Sequence, residues 1–180
     1  MNATDKTVNV FLASSFELEL ERVHIGDLFN DVNSLLIDTD IRLRLLKWEN
    51  FDPSYTGERS QSLYDRKVEE SDIFIVLFRI KKGKYTIEEV KTALDAHTQN
   101  KKPRELYCFI QDTEEKRDFD ISELKTELTP AFTFDTFSDI PDLKRKAMRI
   151  LSPRLKALGA PITETEKFVR IGSVNLLRKT

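Results

Sequence analysis

The chain predicts an open α/β sheet, mostly parallel, and three observations carry that expectation. The first is a continuous apolar run, Ile73-Phe74-Ile75-Val76-Leu77-Phe78, rich in β-branched and aromatic residues. It is too short for a long helix and reads as a strand buried on both faces. The second is the segment after that run: a basic, glycine-containing turn, Lys81-Lys82-Gly83-Lys84, and then Val90, Ala93 and Leu94 at the spacing of one helix face. The third is that strand-like runs and helical patterns alternate along the chain, as βαβ units do.

From the N-terminus, Thr7 to Ala13 is a first strand ending in the small polar pair Ser14-Ser15. A long helix comes next, with Leu18, Ile25, Leu28, Phe29, Val32, Leu35 and Leu36 on one stripe. Ser14 or Ser15 is a candidate N-cap for it, and Glu17, Glu19 and Glu21 suit the positive end of its dipole. Ile41 to Trp48 partly alternates, with arginines on one side, and reads as a half-exposed edge strand. Glu49 to Ser60 is a polar, non-periodic stretch of about twelve residues, a length at which loops are often functional. Ser62 to Glu70 forms a short helix before the central strand.

Beyond the central strand the helix runs to His97 or Thr98, where Asn100 to Pro103 breaks it. Glu105 to Ile110 is the fourth strand, Gln111 to Asp120 a solvated loop, and Ile121 to Leu128 a short helix. Ala131 to Phe134 makes a weak fifth strand. A last helix starts at Asp139 or Pro141, and Pro153 is expected to interrupt or end it. Right-handed crossovers then favour the flavodoxin-like order 2-1-3-4-5, with helices on both faces of the sheet. Gly159-Ala160-Pro161 reads as a boundary. The expected organisation is thus one domain over residues 1–158 and a linker or tail over 159–180, continuing into a further domain if the natural protein is longer.

Composition excludes several classes. The 180 residues are 39% hydrophobic and 33% charged, with a net charge of −2. That balance gives no electrostatic reason to expect nucleic acid or an anionic membrane as partner. No apolar run approaches the roughly 20 residues of a membrane span. Met1 to Lys6 lacks the apolar core of a signal peptide, and a cytoplasmic location is expected. The single cysteine, Cys108, sits in an apolar strand run, and the two histidines, His24 and His97, read as helix-surface residues. No metal site and no cofactor are expected. There is neither a P-loop nor a GxGxxG pattern.

The order 2-1-3-4-5 puts Ser14-Ser15 and the Arg79 to Tyr85 loop at one crevice, on the side where such sheets bind ligands. The carboxylate expected there is Glu89, in the first turn of its helix. Thr86-Ile87-Glu88-Glu89 also fits a capping box, in which Glu89 only satisfies a backbone amide. Otherwise the carboxylate would stabilise positive charge developing at an anomeric carbon. Glu88 points about 100° away around the helix. Periodicity alone leaves both readings open.

Ser71-Asp72, the Ile73 to Phe78 run, and Tyr85-Thr86-Ile87-Glu88-Glu89-Val90 with Ala93-Leu94 resemble the central strand and helix of a TIR domain. Val10 to Ser15 with Glu21-Arg22 is similar to the first strand and helix of bacterial TIR-like domains. The resemblance covers about residues 7–155. Tyr85 stands where tryptophan is usual, and Thr86 where cysteine often follows.

The resemblance implies an NAD+ nucleosidase of bacterial antiviral defence or signalling that cleaves the nicotinamide–ribose bond, with NAD as substrate and Glu89 as the catalytic carboxylate. It further implies that Ser14, Ser15, Phe16, Trp48, Glu49 and Tyr85 line the substrate site. Homo-oligomeric self-association is implied through the 49–60 loop, as is a fused sensor or oligomerisation domain. Against these stand plainer accounts: for Ser14 a helix cap, for Trp48 packing beneath the loop, and for Arg79, Lys81, Lys82 and Lys84 a solvated turn rather than a pyrophosphate contact. A non-enzymatic interaction module and a nucleoside deoxyribosyltransferase-like enzyme are the alternative functions.

Overall fold

The computed structural model describes residues 6–47 and 61–178, with the backbone alone for 61–64. Five strands, β1 (Lys6–Ser14), β2 (Ile41–Leu46), β3 (Ile73–Phe78), β4 (Glu105–Gln111) and β5 (Phe132–Phe137), form one sheet in the order β2-β1-β3-β4-β5. Every pairing in it is parallel. This is the flavodoxin-like α/β fold that the sequence predicts. All six residues of β3 are buried, as its apolar run requires, whereas edge strand β2 alternates between buried and exposed positions.

The helices are α1 (Glu19–Leu35, entered through a 3-10 turn over Phe16–Leu18), α2 (Gln61–Glu70), α3 (Lys84–Thr98), α4 (Ile121–Leu128) and α5 (Ile140–Ala157). They divide between the two faces of the sheet. On one, Ile25, Leu28, Phe29 and Val32 of α1 and Leu143, Ala147, Met148, Leu151 and Leu155 of α5 cover Val10, Leu12, Ile73, Ile75 and Leu77. On the other, Val68 of α2, Val90 and Ala93 of α3, and Leu124 and Leu128 of α4 cover Phe11, Ala13, Phe74, Val76 and Phe78. Phe11 and Phe74 stack there with ring centroids 5.6 Å apart. Asp120 and Asp139 cap α4 and α5 through side-chain bonds to Glu123 N–H at 2.9 Å and Asp142 N–H at 2.8 Å.

Two expectations give way. Pro153 lies inside α5, which runs on to Ala157, because Leu151 and Leu155 on either side of it are fully buried and hold the helix to the sheet. The stretch expected to be a tail from residue 159 folds into β6 (Ile162–Glu164), β7 (Phe168–Ile171) and β8 (Val174–Arg178), an antiparallel three-stranded sheet. Ile162, Val169 and Ile171 enter the same core as α1 and α5, so 162–178 is part of the folded body. Among the described residues no helix is long and apolar enough to cross a membrane.

Candidate active site

The strand order reverses between β1 and β3, and the crevice of such a sheet opens beyond the carboxyl ends of those strands. Ser14 pairs with Leu77 at that edge. Pleating then sends consecutive residues to opposite sides. Ser14 falls on the α1 side, where its hydroxyl accepts from Arg22 Nη1 at 2.6 Å. The same nitrogen donates to the Ser15 carbonyl at 2.9 Å. Arg22 is wholly shut off from solvent. Neither serine caps α1, whose N-cap is Leu18, and Ser15, at the N-cap of the 3-10 turn, makes no side-chain capping bond. The buried guanidinium takes up Ser14, and the cap reading falls.

Ser15 faces the loop after β3. It donates its hydroxyl to Glu17 Oε1 at 3.1 Å. That carboxylate oxygen also accepts from the backbone amides of Ile80 and Lys81, each at 2.8 Å. Glu17 thereby ties the end of β1 to the β3–α3 loop. The loop closes on Gly83, whose φ of 70° lies in the left-handed region. A Cβ on Gly83 would stand 3.1 Å from Thr86 Oγ1 and 3.3 Å from the Ser15 Cβ, so glycine is what allows the approach.

Gly83 is the N-cap of α3, and the first helical bond runs from Ile87 N–H to Gly83 C=O at 3.1 Å. The helix therefore starts before the Thr86-to-Glu89 pattern suggests. Glu89 falls in the second turn, not the first, and Thr86 is inside the helix rather than at its cap. The capping-box account of Glu89 does not hold, because neither residue occupies the position that a capping box needs. Thr86 and Glu89 are instead buried, 3% and 6% exposed, on the stripe that Val90 and Ala93 continue onto the sheet. A carboxylate that is largely withdrawn from water interacts more strongly with a cation than an exposed one would.

The exposed rim carries Phe16, 75% exposed, and Tyr85, 52% exposed. Lys84 Nζ sits 5.9 Å from the centroid of the Tyr85 ring. The basic turn is partly committed elsewhere: Arg79 pairs with Glu115 at 2.5 Å and Lys82 with Glu127 at 3.7 Å. Trp48, Glu49 and the 49–60 loop lie outside the described residues. Of the expected site residues, Ser14 and Ser15 end β1 with Phe16 next to them, Ser15 lies against the Gly83 turn, and Tyr85 and Glu89 follow that turn in α3.

Glu17, Arg22, Gly83 and Thr86 join them, although the sequence alone does not single them out as site residues. Arg22 has a legible signal: Leu18, Arg22, Ile25 and Phe29 share one helical phase, which places a charge on the buried stripe. Glu17 has none, since its partners are backbone amides 63 and 64 positions away.

Other groups do not join the site. Burial pushes the Cys108 thiol up to about 12, which removes it as a nucleophile. His97 Nδ1 lies 3.1 Å from the Pro103 carbonyl, and His24 pairs loosely with Asp27 at 3.8 Å. Among the described residues no group of histidine, cysteine and carboxylate side chains could hold a metal ion.

No family model and no curated protein matches the chain. Among solved structures it is similar to a CMP N-glycosidase of Clostridium botulinum, at 14% identity and a TM-score of 0.48 over 79% of this chain and 98% of that one. It is also similar to the Flv1 flavodiiron core from Synechocystis, at 12% identity and a TM-score of 0.49 over 86% of this chain. A third is rubredoxin oxygen:oxidoreductase from Desulfovibrio gigas, at 11% identity and a TM-score of 0.44 over 87% of this chain. The chain spans 37% and 38% of the length of the latter two. Likenesses this distant carry no activity and no residue role to this chain, and its fold rests on its own sheet order.

Proposed function

We propose that the protein is a TIR-type NAD glycohydrolase, with Glu89 as its catalytic carboxylate. The observation that supports this reading is the placement of Glu89: buried, in the second turn of the helix that follows β3 at the switch point, and away from the capping position.

The chemistry suits such a site. Breaking the nicotinamide–ribose bond sends the bonding pair to the ring nitrogen, so the pyridinium leaves as neutral nicotinamide and needs no proton. Positive charge passes to the anomeric carbon and ring oxygen, and a fixed carboxylate stabilises it there. Water then adds to the anomeric carbon and releases one proton, giving ADP-ribose. A leaving group that is already cationic asks for one carboxylate, whereas a neutral base would also need a general acid to protonate it. Ser15, bonded to Glu17, lies against the Gly83 turn that opens α3, and Phe16 and Tyr85 offer exposed apolar surface on either side of it.

Self-association through residues 49–60 and a role in bacterial antiviral signalling belong to the same reading. The test is nicotinamide release from NAD by concentrated wild-type protein beside Glu89→Gln. Loss of release in the variant supports the assignment, and equal release in both overturns it.

A further inference from the structure

The first turn of α3 holds donors that no described residue takes up. Because the helical ladder begins with Ile87 N–H, the amides of Lys84 and Thr86 precede it and have no acceptor among the described residues. Gly83, the N-cap, has no side chain to offer. The neighbouring amides of Ile80 and Lys81 are already engaged by Glu17.

A second and independent feature is the Thr86 hydroxyl. Thr86 is 3% exposed, yet its Oγ1 makes no hydrogen bond among the described residues. It is not one of the sealed polar atoms that lack a partner, so it keeps a contact with solvent. It lies against Gly83, on the N-terminal side of the helix. Charge at this turn is uneven as well. Arg79 and Lys82 are paired with Glu115 and Glu127, while Lys81 and Lys84, on either side of Gly83, have no acidic partner among the described residues.

Uncapped amides at the positive end of a 15-residue helix, a buried hydroxyl with no acceptor and two unpaired lysines are complementary to one chemical group, a phosphate. We propose that the first turn of α3 is a phosphate subsite and that the crevice takes phosphorylated ribonucleosides rather than free nucleosides. The amides of Lys84 and Thr86 and the Thr86 hydroxyl donate to the phosphate oxygens, and Lys81 and Lys84 supply charge. The reaction of the bound ligand rests on the glycohydrolase reading. Glu89 stands three residues on along the same face, about 4.5 Å further up the axis. That separation is on the scale of one ribose, which would carry its phosphate at the helix start and its anomeric carbon at Glu89.

The test is a titration of the isotope-labelled protein with inorganic pyrophosphate, against sodium chloride at matched ionic strength, read at the backbone amides by NMR. The expected result is saturable shifts of Lys84 and Thr86, with binding weakened roughly tenfold in Thr86→Val and in Lys84→Ala. Lys84 is exposed, so its variant serves even if Thr86→Val folds poorly. Absence of saturable shifts at those amides, or wild-type binding by Lys84→Ala and a folded Thr86→Val, overturns the proposal. The two readings separate cleanly. Pyrophosphate binding without NAD cleavage removes the glycohydrolase and leaves the subsite standing. NAD cleavage without pyrophosphate binding, and with nicotinamide riboside cleaved as fast as NAD, does the reverse.

Discussion

Arg22 reaches from the buried face of α1 to the Ser14 hydroxyl over 2.6 Å, with no part of it open to solvent. A buried cation is tolerated only where hydrogen bonds replace its water, and Ser14 Oγ and the Ser15 carbonyl supply two of them. Arg22→Ala leaves a cavity and strips both acceptors. It is expected to lower stability by about 2–4 kcal/mol in urea denaturation. Arg22→Met, which fills the space without the charge, should lose the bonds but recover part of the packing.

Gly83→Ala tests the close approach of the two crevice walls. Alanine at a φ of 70° is strained, and its Cβ would crowd Thr86 Oγ1 and Ser15. Strain alone costs about 1–2 kcal/mol, before any shift of the neighbours. A thermal melt should show that loss, and nicotinamide release should fall with it. A variant as stable and as active as wild type would mean that the loop does not hold this conformation.

Removal of residues 159–180 tests the second sheet. Burying Ile162, Val169 and Ile171 contributes about 1.5–3 kcal/mol for each side chain, which in total rivals the net stability of a domain of this size. The shortened chain should lose cooperative melting or melt far below the full chain. Equal melting temperatures would make the segment the dispensable tail that its sequence suggests.

Cys108 offers a check on the core. With the thiol pushed up to about 12 by burial, only about one molecule in ten thousand carries the thiolate at pH 8. Ionisation grows as pH rises toward that value, so reaction with a thiol reagent at pH 8 should be slow in the native protein and complete within minutes in urea. Rapid native labelling would mean that β4 opens to solvent.

The sheet was legible because its strands are short apolar runs separated by amphipathic helices, and β3 above all can be nothing but a central strand. The second sheet was hidden by Gly159-Ala160-Pro161, which looks like a linker, and by strands as short as the three residues of β6. One signal was present: Gly172, with a φ of 58°, and Ser173 separate Ile171 from its partner Val174, a two-residue hairpin turn. The place of Glu89 in the helix after the central strand was legible. Its turn of the helix was not, because Thr86 looks like a cap and nothing local reveals that α3 starts at Lys84. Ser14 and Ser15 look like caps for the same reason, local pattern being blind to an arginine that arrives from a neighbouring helix.

As the proposed catalytic carboxylate, Glu89 acts on the substrate rather than on the fold. Nicotinamide release from NAD should be measured at high protein concentration for wild type and Glu89→Gln, with a melting curve for each. The variant is expected to stay folded and to lose release by at least about a hundredfold, the scale on which removing one transition-state charge contact acts. A folded variant that releases nicotinamide at the wild-type rate would contradict it.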